Sequence, residues 1–456
     1  MQKRVITTLI IMAVMVTVSS SSIVVTAGNV TWDFSNDVLV SYANEDKQQA
    51  ESHIIASASN NNYLVTALMD NATSTGSYRC RAYNSTDAGN SWTDRGFLPV
   101  DQLEASNDPV VASTTDGKFF IACFAFTSTS SRVVYWLSTD NGSTWNGPNT
   151  VASASGTVKV DKPWIAADTK DPNSQYRNNV YACWTEISSG PSYAIKFRKI
   201  WPSLGSVQTI ASPSNPSWVQ WCNIAVGKSG IIYLTWMRYD SINNIYDIRM
   251  KRSFDGGATW TTARTIATFN YVDTIYSYGI PIRISNSPHI AVDNNWDIHL
   301  VYVTKTTSND AEIMYRKITN CTSSTSSCTL SSTLNLSNNS KDQWEPAITA
   351  STKSNTVHIT VLDKRDDSNN NAWKLWHYHC HLSSSSCTNI SDWYYARVTD
   401  QVTYVYNSNA DFIGHYHGIT TSTIVNTSAR EAYTVWTDSR LYNNNQDYNI
   451  FYDRLT

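Results

Sequence analysis

Three histidines alternate in "WHYHCHLS", at His377, His379 and His381. Alternation puts them on one face of a strand, a spacing at which two imidazoles can share a metal ion. His415 and His417 in "GHYHG" repeat the pattern. No carboxylate stands near the first group in sequence and Cys380 has a better use in a disulfide, so neither a metal nor another cofactor is expected. A second set of chemistry-bearing residues is spread along the chain in short loops. "KVDKPW" holds Asp161, Lys162 and Trp164, and "NPSWVQW" holds Trp218 and Trp221. "YSYGIPIRISNSPH" adds Arg283, "KDQWEP" adds Trp344 and Glu345, and "NSNADFIGHYH" adds Asp411 and His415. Flat aromatics beside hydrogen-bonding side chains suit sugar rings, whose faces are apolar and whose edges are polar. For any single ring, wedging between packed sheets is the alternative. The set can act as one site only if the fold gathers these loops.

A recurring phrase says how. "SHIIAS" at 52 is followed by "DPVVAS" at 108, "KPWIAA" at 162, "CNIAVG" at 222, "SPHIAV" at 287, "EPAITA" at 345 and "YHGITT" at 416. After most copies come a polar turn and an apolar strand such as "KFFIACFAF" or "IIYLTWMRY", then two further strands. Each unit therefore reads as a four-stranded antiparallel meander. So small a unit has open edges and little core, and must pack face to face with its neighbours in a ring. The last unit supplies three strands, and "DVLVSYA" at 37 to 43 is left over to complete it. The expectation is an all-β, seven-bladed β-propeller closed by its N-terminal strand, or six blades if the region 345 to 456 holds one fewer. The ligand loops then meet at the channel mouth.

The phrase Ser-x-Asp-x-Gly-x-x-Trp is written three times: Ser85, Asp87, Gly89 and Trp92; Ser138, Asp140, Gly142 and Trp145; Ser253, Asp255, Gly257 and Trp260. Each copy sits where a hairpin should turn. Asp bonds nearby amides there, Gly takes positive φ, and Trp covers the turn. These boxes and the inner-strand phrases resemble the Asp-box, or bacterial neuraminidase repeat, proteins of the sialidase-like β-propeller superfamily, over the whole chain after residue 27. The resemblance implies that the boxes are structural and face away from the ligand mouth. It also implies, for an enzyme, three arginines gripping a substrate carboxylate, a Tyr nucleophile aided by Glu, and an Asp acid/base. Such enzymes carry Arg-Ile-Pro before the first box; here the nearest strings are "IIAS" and "IPIR" at 280 to 283.

Cys321 with Cys328 and Cys380 with Cys387 share a Cys-x6-Cys spacing at the third turns of units five and six, where boxes are missing, so a disulfide across each hairpin is expected. Cys80 with Cys123 and Cys183 with Cys222 are a guess at bridges between neighbouring blades, with buried thiols as the alternative. "MQKR", an apolar run from Val5 to Val18 and a Ser-rich stretch to Ala27 read as a signal peptide over 1–27, which leaves 28–456 as one propeller domain. No second candidate span follows. The net charge is −3 with no basic stripe, which argues against nucleic acid. The leading expectation is a secreted or cell-surface propeller that binds glycans or other surface polymers without cleaving them. A sialidase-like glycoside hydrolase with a diverged site, and a structural surface or filament protein, are the alternatives.

Overall fold

The computed structural model describes residues 37–41, 48–71, 77–100, 105–190, 192–306, 310–337, 339–405, 413–421, 432–440 and 448–454. The expected signal peptide over 1–27 and the candidate Asp411 lie outside them. Seven antiparallel sheets follow one another along the chain, and the architecture is the seven-bladed propeller expected. Blade one runs through Gln49–Ala56, Leu64–Asp70, Arg79–Ser85 and Thr93–Phe97. The innermost strands of the next five blades are Ala105–Ser113, Lys159–Ala167, Trp218–Val226, His289–Val292 and Gln343–Ser351. In blade five the outer strand is split into Thr329–Leu330 and Leu334–Asn335.

Blade seven is built from both ends of the chain. Gly418–Thr421, Ala432–Asp438 and Asn449–Arg454 supply three strands, and Val38–Leu39 pairs with the last, Val38 opposite Tyr452 and Leu39 opposite Phe451. Asp37, beside this strand, bonds Thr399 Oγ1 at 2.9 Å and Arg440 Nη1 at 2.5 Å.

A blade is buried on both faces, so its middle strands read as unbroken apolar runs instead of alternating ones. Phe119–Phe126 is such a strand. The apolar core accordingly lies in the seams. Val65 and Ala82 of blade one pack with Phe119, Ile121 and Trp136 of blade two, and equivalent clusters join the later pairs of neighbours. Cys80–Cys123 bridges blades one and two, and Cys183–Cys222 bridges blades three and four. Cys321–Cys328 and Cys380–Cys387 close the third turns of blades five and six.

The three eight-residue turns share one hydrogen-bond pattern. In each, the Ser hydroxyl donates to the Asp carboxylate at 2.7–2.8 Å and accepts from the Gly amide at 2.8–2.9 Å. The glycines do more than turn the chain. Gly142, at φ +82°, stands where a Cβ would lie 2.6 Å from Val65 of the preceding blade, and Gly89 and Gly257 press likewise on Tyr452 and Phe197. Gly142→Ala therefore adds both left-handed strain and overpacking, and is expected to cost about 3 kcal/mol. Urea unfolding at neutral pH measures it; an unchanged midpoint would show the seam to be slack.

A long-range tie also crosses the axis below the mouth. Lys170, in the turn after the inner strand of blade three, sends its ammonium to the carbonyls of Val292 in blade five and Ala350 in blade six, the latter at 3.3 Å. Burial brings its pKa down to about 8, against the pull of Asp293.

Candidate functional site

The inner strands begin with a bulge that recurs around the ring. Pairing slips between Ala50 and His53, Asn107 and Val110, Asp161 and Trp164, Gln220 and Cys222, and Trp344 and Ala347. The first unpaired residue in each slip has positive φ: Glu51 +52°, Asp108 +57°, Lys162 +49°, Trp221 +53° and Glu345 +49°. None is glycine, so each costs on the order of 1 kcal/mol or more. A bulge re-aims a side chain, and here it gathers a cluster at the channel mouth.

At its centre is the Lys162 ammonium, 2.7 Å from Asp108 Oδ1, 3.1 Å from Glu51 Oε1 and 2.9 Å from His415 Nδ1. Asp108 also lies in hydrogen-bonding contact with Glu51 and with Asp161. Burial works against the charge on Lys162, but Asp108, Glu51 and Asp161 overcome it and hold the amine above its ordinary value. Burial and then the Glu51 charge push Asp108 up to about 7. Burial raises Asp161 to about 6 against the pull of Lys162. Glu345 is driven well above the usual carboxylate range by burial and then by Glu51. His415 is held well below its ordinary value by burial and then by Lys162, so its ring is neutral at pH 7. The cluster is a fixed cation beside two acids, Asp108 and Asp161, that take up protons near neutrality.

Above it opens a cavity of about 490 Å³. Asp108, Asp161, Lys162 and His415 line one part of it, and Trp221, Tyr271, Tyr78 and Phe124 supply aromatic wall. Asp273 and Arg283 come from an extra hairpin, Thr274–Ser277 with Ile280–Arg283, inserted between blades four and five. Its turn at Tyr278 and Gly279 has positive φ at both residues, as a two-residue hairpin of this twist requires. Lys364 of blade six pins it by donating to the Tyr276 carbonyl. Two residues below Lys162, Trp164 packs edge-on to His53 at 5.1 Å and to His289 at 4.9 Å. These three rings line a separate channel cavity of about 240 Å³.

Of the ten residues picked from the sequence, Asp161, Lys162, Trp221, Arg283 and His415 line the mouth cavity. Glu345 joins the charge cluster from a fully buried position. The other tryptophans do not line it. Trp164 faces the lower cavity, Trp218 lies in an aromatic group beside the mouth, and Trp344 is buried against Trp373 with ring centres 5.3 Å apart. Wedging won over ligand contact because an indole is worth most where it excludes water completely. Sequence reasoning missed Glu51, Asp108, Tyr78, Tyr271 and Asp273. A readable signal existed for part of this: in "DP", "KP" and "EP" at 108, 162 and 345 a charged residue directly precedes the proline of the inner-strand phrase.

Arg238, Arg365 and Arg440, one from each of three blades, do not converge. Arg238 forks onto Asp247 at 3.0 and 2.7 Å, Arg365 pairs with Asp363, and Arg440 pairs with Asp438 and Asp37. The histidines of "WHYHCHLS" are stacked and not convergent. His377 and His379 lie 5.3 Å apart, nearly parallel and buried, with His358 Nδ1 3.1 Å from His377 Nε2. Among the described residues no group of three His, Cys, Asp or Glu side chains is arranged to hold a metal ion.

No protein-family model matches the chain. No curated protein matches it either. Among solved structures it is similar to a Dyadobacter fermentans protein of unknown function, with a TM-score of 0.50 and 12% identity over 93% of this chain and 98% of that one. It is similar to the Penicillium chrysogenum α-L-arabinanase complexed with arabinobiose at TM-score 0.48 and 10% identity, over 93% and 98% of the chains. It is also similar to a leech intramolecular trans-sialidase at TM-score 0.45 and 11% identity, over 94% and 70%. At these identities the likeness is one of fold.

Proposed function

We propose that the chain is a secreted or cell-surface propeller that binds glycans at the mouth of its central channel. The observation that carries this reading is the ring of strained bulges, which turns charged and aromatic side chains from five blades toward one mouth. Strain of this kind persists where surrounding structure enforces it, and it clusters at binding and catalytic sites. Aromatic wall beside carboxylates, two amides, one arginine and a lysine already committed to its carboxylates fits a saccharide better than a nucleotide or a lipid. Four disulfides accord with an oxidising compartment.

A second reading, hydrolysis, is favoured by the Asp108–Asp161 pair. With values near 7 and 6, the pair retains a proton near neutral pH and can donate it to a departing glycosidic oxygen. Asp108 sits close enough to Asp161 to raise its pKa, whereas glycosidases that use two carboxylates keep them about 5 Å or more apart. The pair would act as one acid, and Asp273 across the cavity would take the proton of the attacking water.

A panel of neutral and acidic oligosaccharides, scored both for binding by calorimetry and for release of new reducing ends, tests both readings. Trp221→Ala is expected to weaken binding at least about tenfold. Asp273→Asn is expected to abolish any cleavage while leaving binding within about threefold. Absence of binding to every glycan in the panel defeats the first reading, and binding without new ends defeats the second.

A further inference from the structure

The cavity does not end at its aromatic wall. Tyr271, which lines it, stacks on Trp221 with ring centres 6.4 Å apart and planes within 11°. Tyr271 also stacks on Tyr246 at 4.8 Å, and Tyr239 lies tilted against Tyr246 at 4.8 Å with planes 35° apart. Trp218 flanks this row, 6.4 Å from Tyr271, 6.1 Å from Tyr246 and 6.3 Å from Tyr239, with Tyr193 of blade three beyond it at 5.8 Å.

Topology explains why the row lies on the mouth face. Tyr239 and Tyr246 are opposite each other at the hairpin between the second and third strands of blade four, on the side where inner strands enter. Trp218 starts the inner strand and Tyr271 follows the outer one. All five outer rings are only half-buried. At the hairpin tip Ile242 is 90% exposed, so the row ends in an apolar lip. The nearby guanidinium of Arg238 is committed to Asp247 and Asp240, so along the row the rings offer exposed edges and hydroxyls, with the exposed Arg283 at the cavity end. Outward from Arg283 the row presents uncharged tyrosine and tryptophan side chains, which suit successive neutral sugars better than successive phosphates or carboxylates.

We infer that this row is a track for an extended neutral glycan, one end of which sits in the mouth cavity while the following sugars run outward over blade four. The inference rests on the glycan reading above and narrows it, from a terminal sugar to a polymer. Affinity then grows with chain length, because each added sugar reaches another ring.

The test uses the full chain and arabino-, xylo- and cello-oligosaccharides from disaccharide to hexasaccharide, with affinities from calorimetry. For the series that binds, the expected wild-type result is a steady gain with length. Tyr239→Ala is expected to remove about tenfold from hexasaccharide affinity and leave the disaccharide unchanged. Ile242→Asp, at a position exposed enough to spare the fold, should weaken long chains alone. Disaccharide and hexasaccharide affinities that fall together in Tyr239→Ala, or a wild-type affinity independent of length, overturn the track while leaving the mouth site standing. Failure of the wild type to bind any of these three series overturns the track, and the glycan reading falls with it only if the neutral and acidic panel fails as well.

Discussion

Acidification from pH 7.5 to about 5 is expected to open the seam between blades six and seven before the rest of the ring. That seam holds histidines that burial keeps neutral. Burial, then the charges of His358 and His379, keep His377 well below its ordinary value. Burial and the neighbouring rings bring His379 to about 2 and His417 to about 3. The groups around them are Tyr394, stacked on His379, Thr360, bonded to His417, and Asp453 and Arg454, which line the same small cavity as His377. With folded values depressed below 6.5, the unfolded chain takes up protons first. The stabilisation is complete above about pH 6.5 and is lost as pH falls toward the folded values, at about 1.4 kcal/mol per ring per pH unit.

A ring kept neutral down to about pH 5 thus costs about 2 kcal/mol, a sizeable part of the stability of a typical domain. Carboxylates with raised values, Asp37 at about 6, Asp108 at about 7 and Asp161 at about 6, act with the opposite sign over the same range. Global melting therefore moves less than the seam does. Hydrogen exchange on Thr356–Asp363 and Lys374–His381 reads the seam directly. Loss of protection there at about pH 5, reversed in part by His379→Phe, is the expected result. Protection equal to that at pH 7.5 would defeat the argument.

Removal of the chain up to residue 41 is expected to cost about 5 kcal/mol or more and to promote aggregation. The deletion exposes the edge of Asn449–Arg454 and takes away Asp37, whose loss leaves the largely buried Arg440 to Asp438 and the more exposed Asp400. Asp37→Ala separates the two contributions, since it breaks the pair and keeps the strand. Thermal melting and light scattering of the truncated protein make the measurement. A truncated chain that melts with the full-length protein and stays monomeric would show that the closing strand is dispensable.

Much of this architecture was readable because its signals are local. The eight-residue turns bond within themselves, Ser85 to Asp87 and Gly89, so their chemistry survives in a short string of letters. The two seven-residue disulfide loops are equally local. The site was legible only in half. Asp161 and Lys162 stood out because a charged pair precedes an apolar strand, but the partners of Lys162 lie 111, 54 and 253 residues away. Nothing at Glu51 says that a bulge turns it toward blade three, and nothing at Trp344 says that Trp373 rather than ligand will cover it. Those outcomes belong to ring closure, which no single repeat encodes.

Lys170 gives the ring a property that a row of stacked repeats lacks. Blades that touch only their neighbours can fray one after another from a broken end, with stability adding up link by link. The ammonium of blade three holds carbonyls of blades five and six and skips blade four. Blades three to six are thereby coupled as a block, so fraying that starts at the join of the two chain ends has to stop or take four blades at once. Lys162 ties blade three also to Glu51 of blade one, Asp108 of blade two and His415 beside blade seven, so unfolding should be cooperative around the ring and not a gradual erosion.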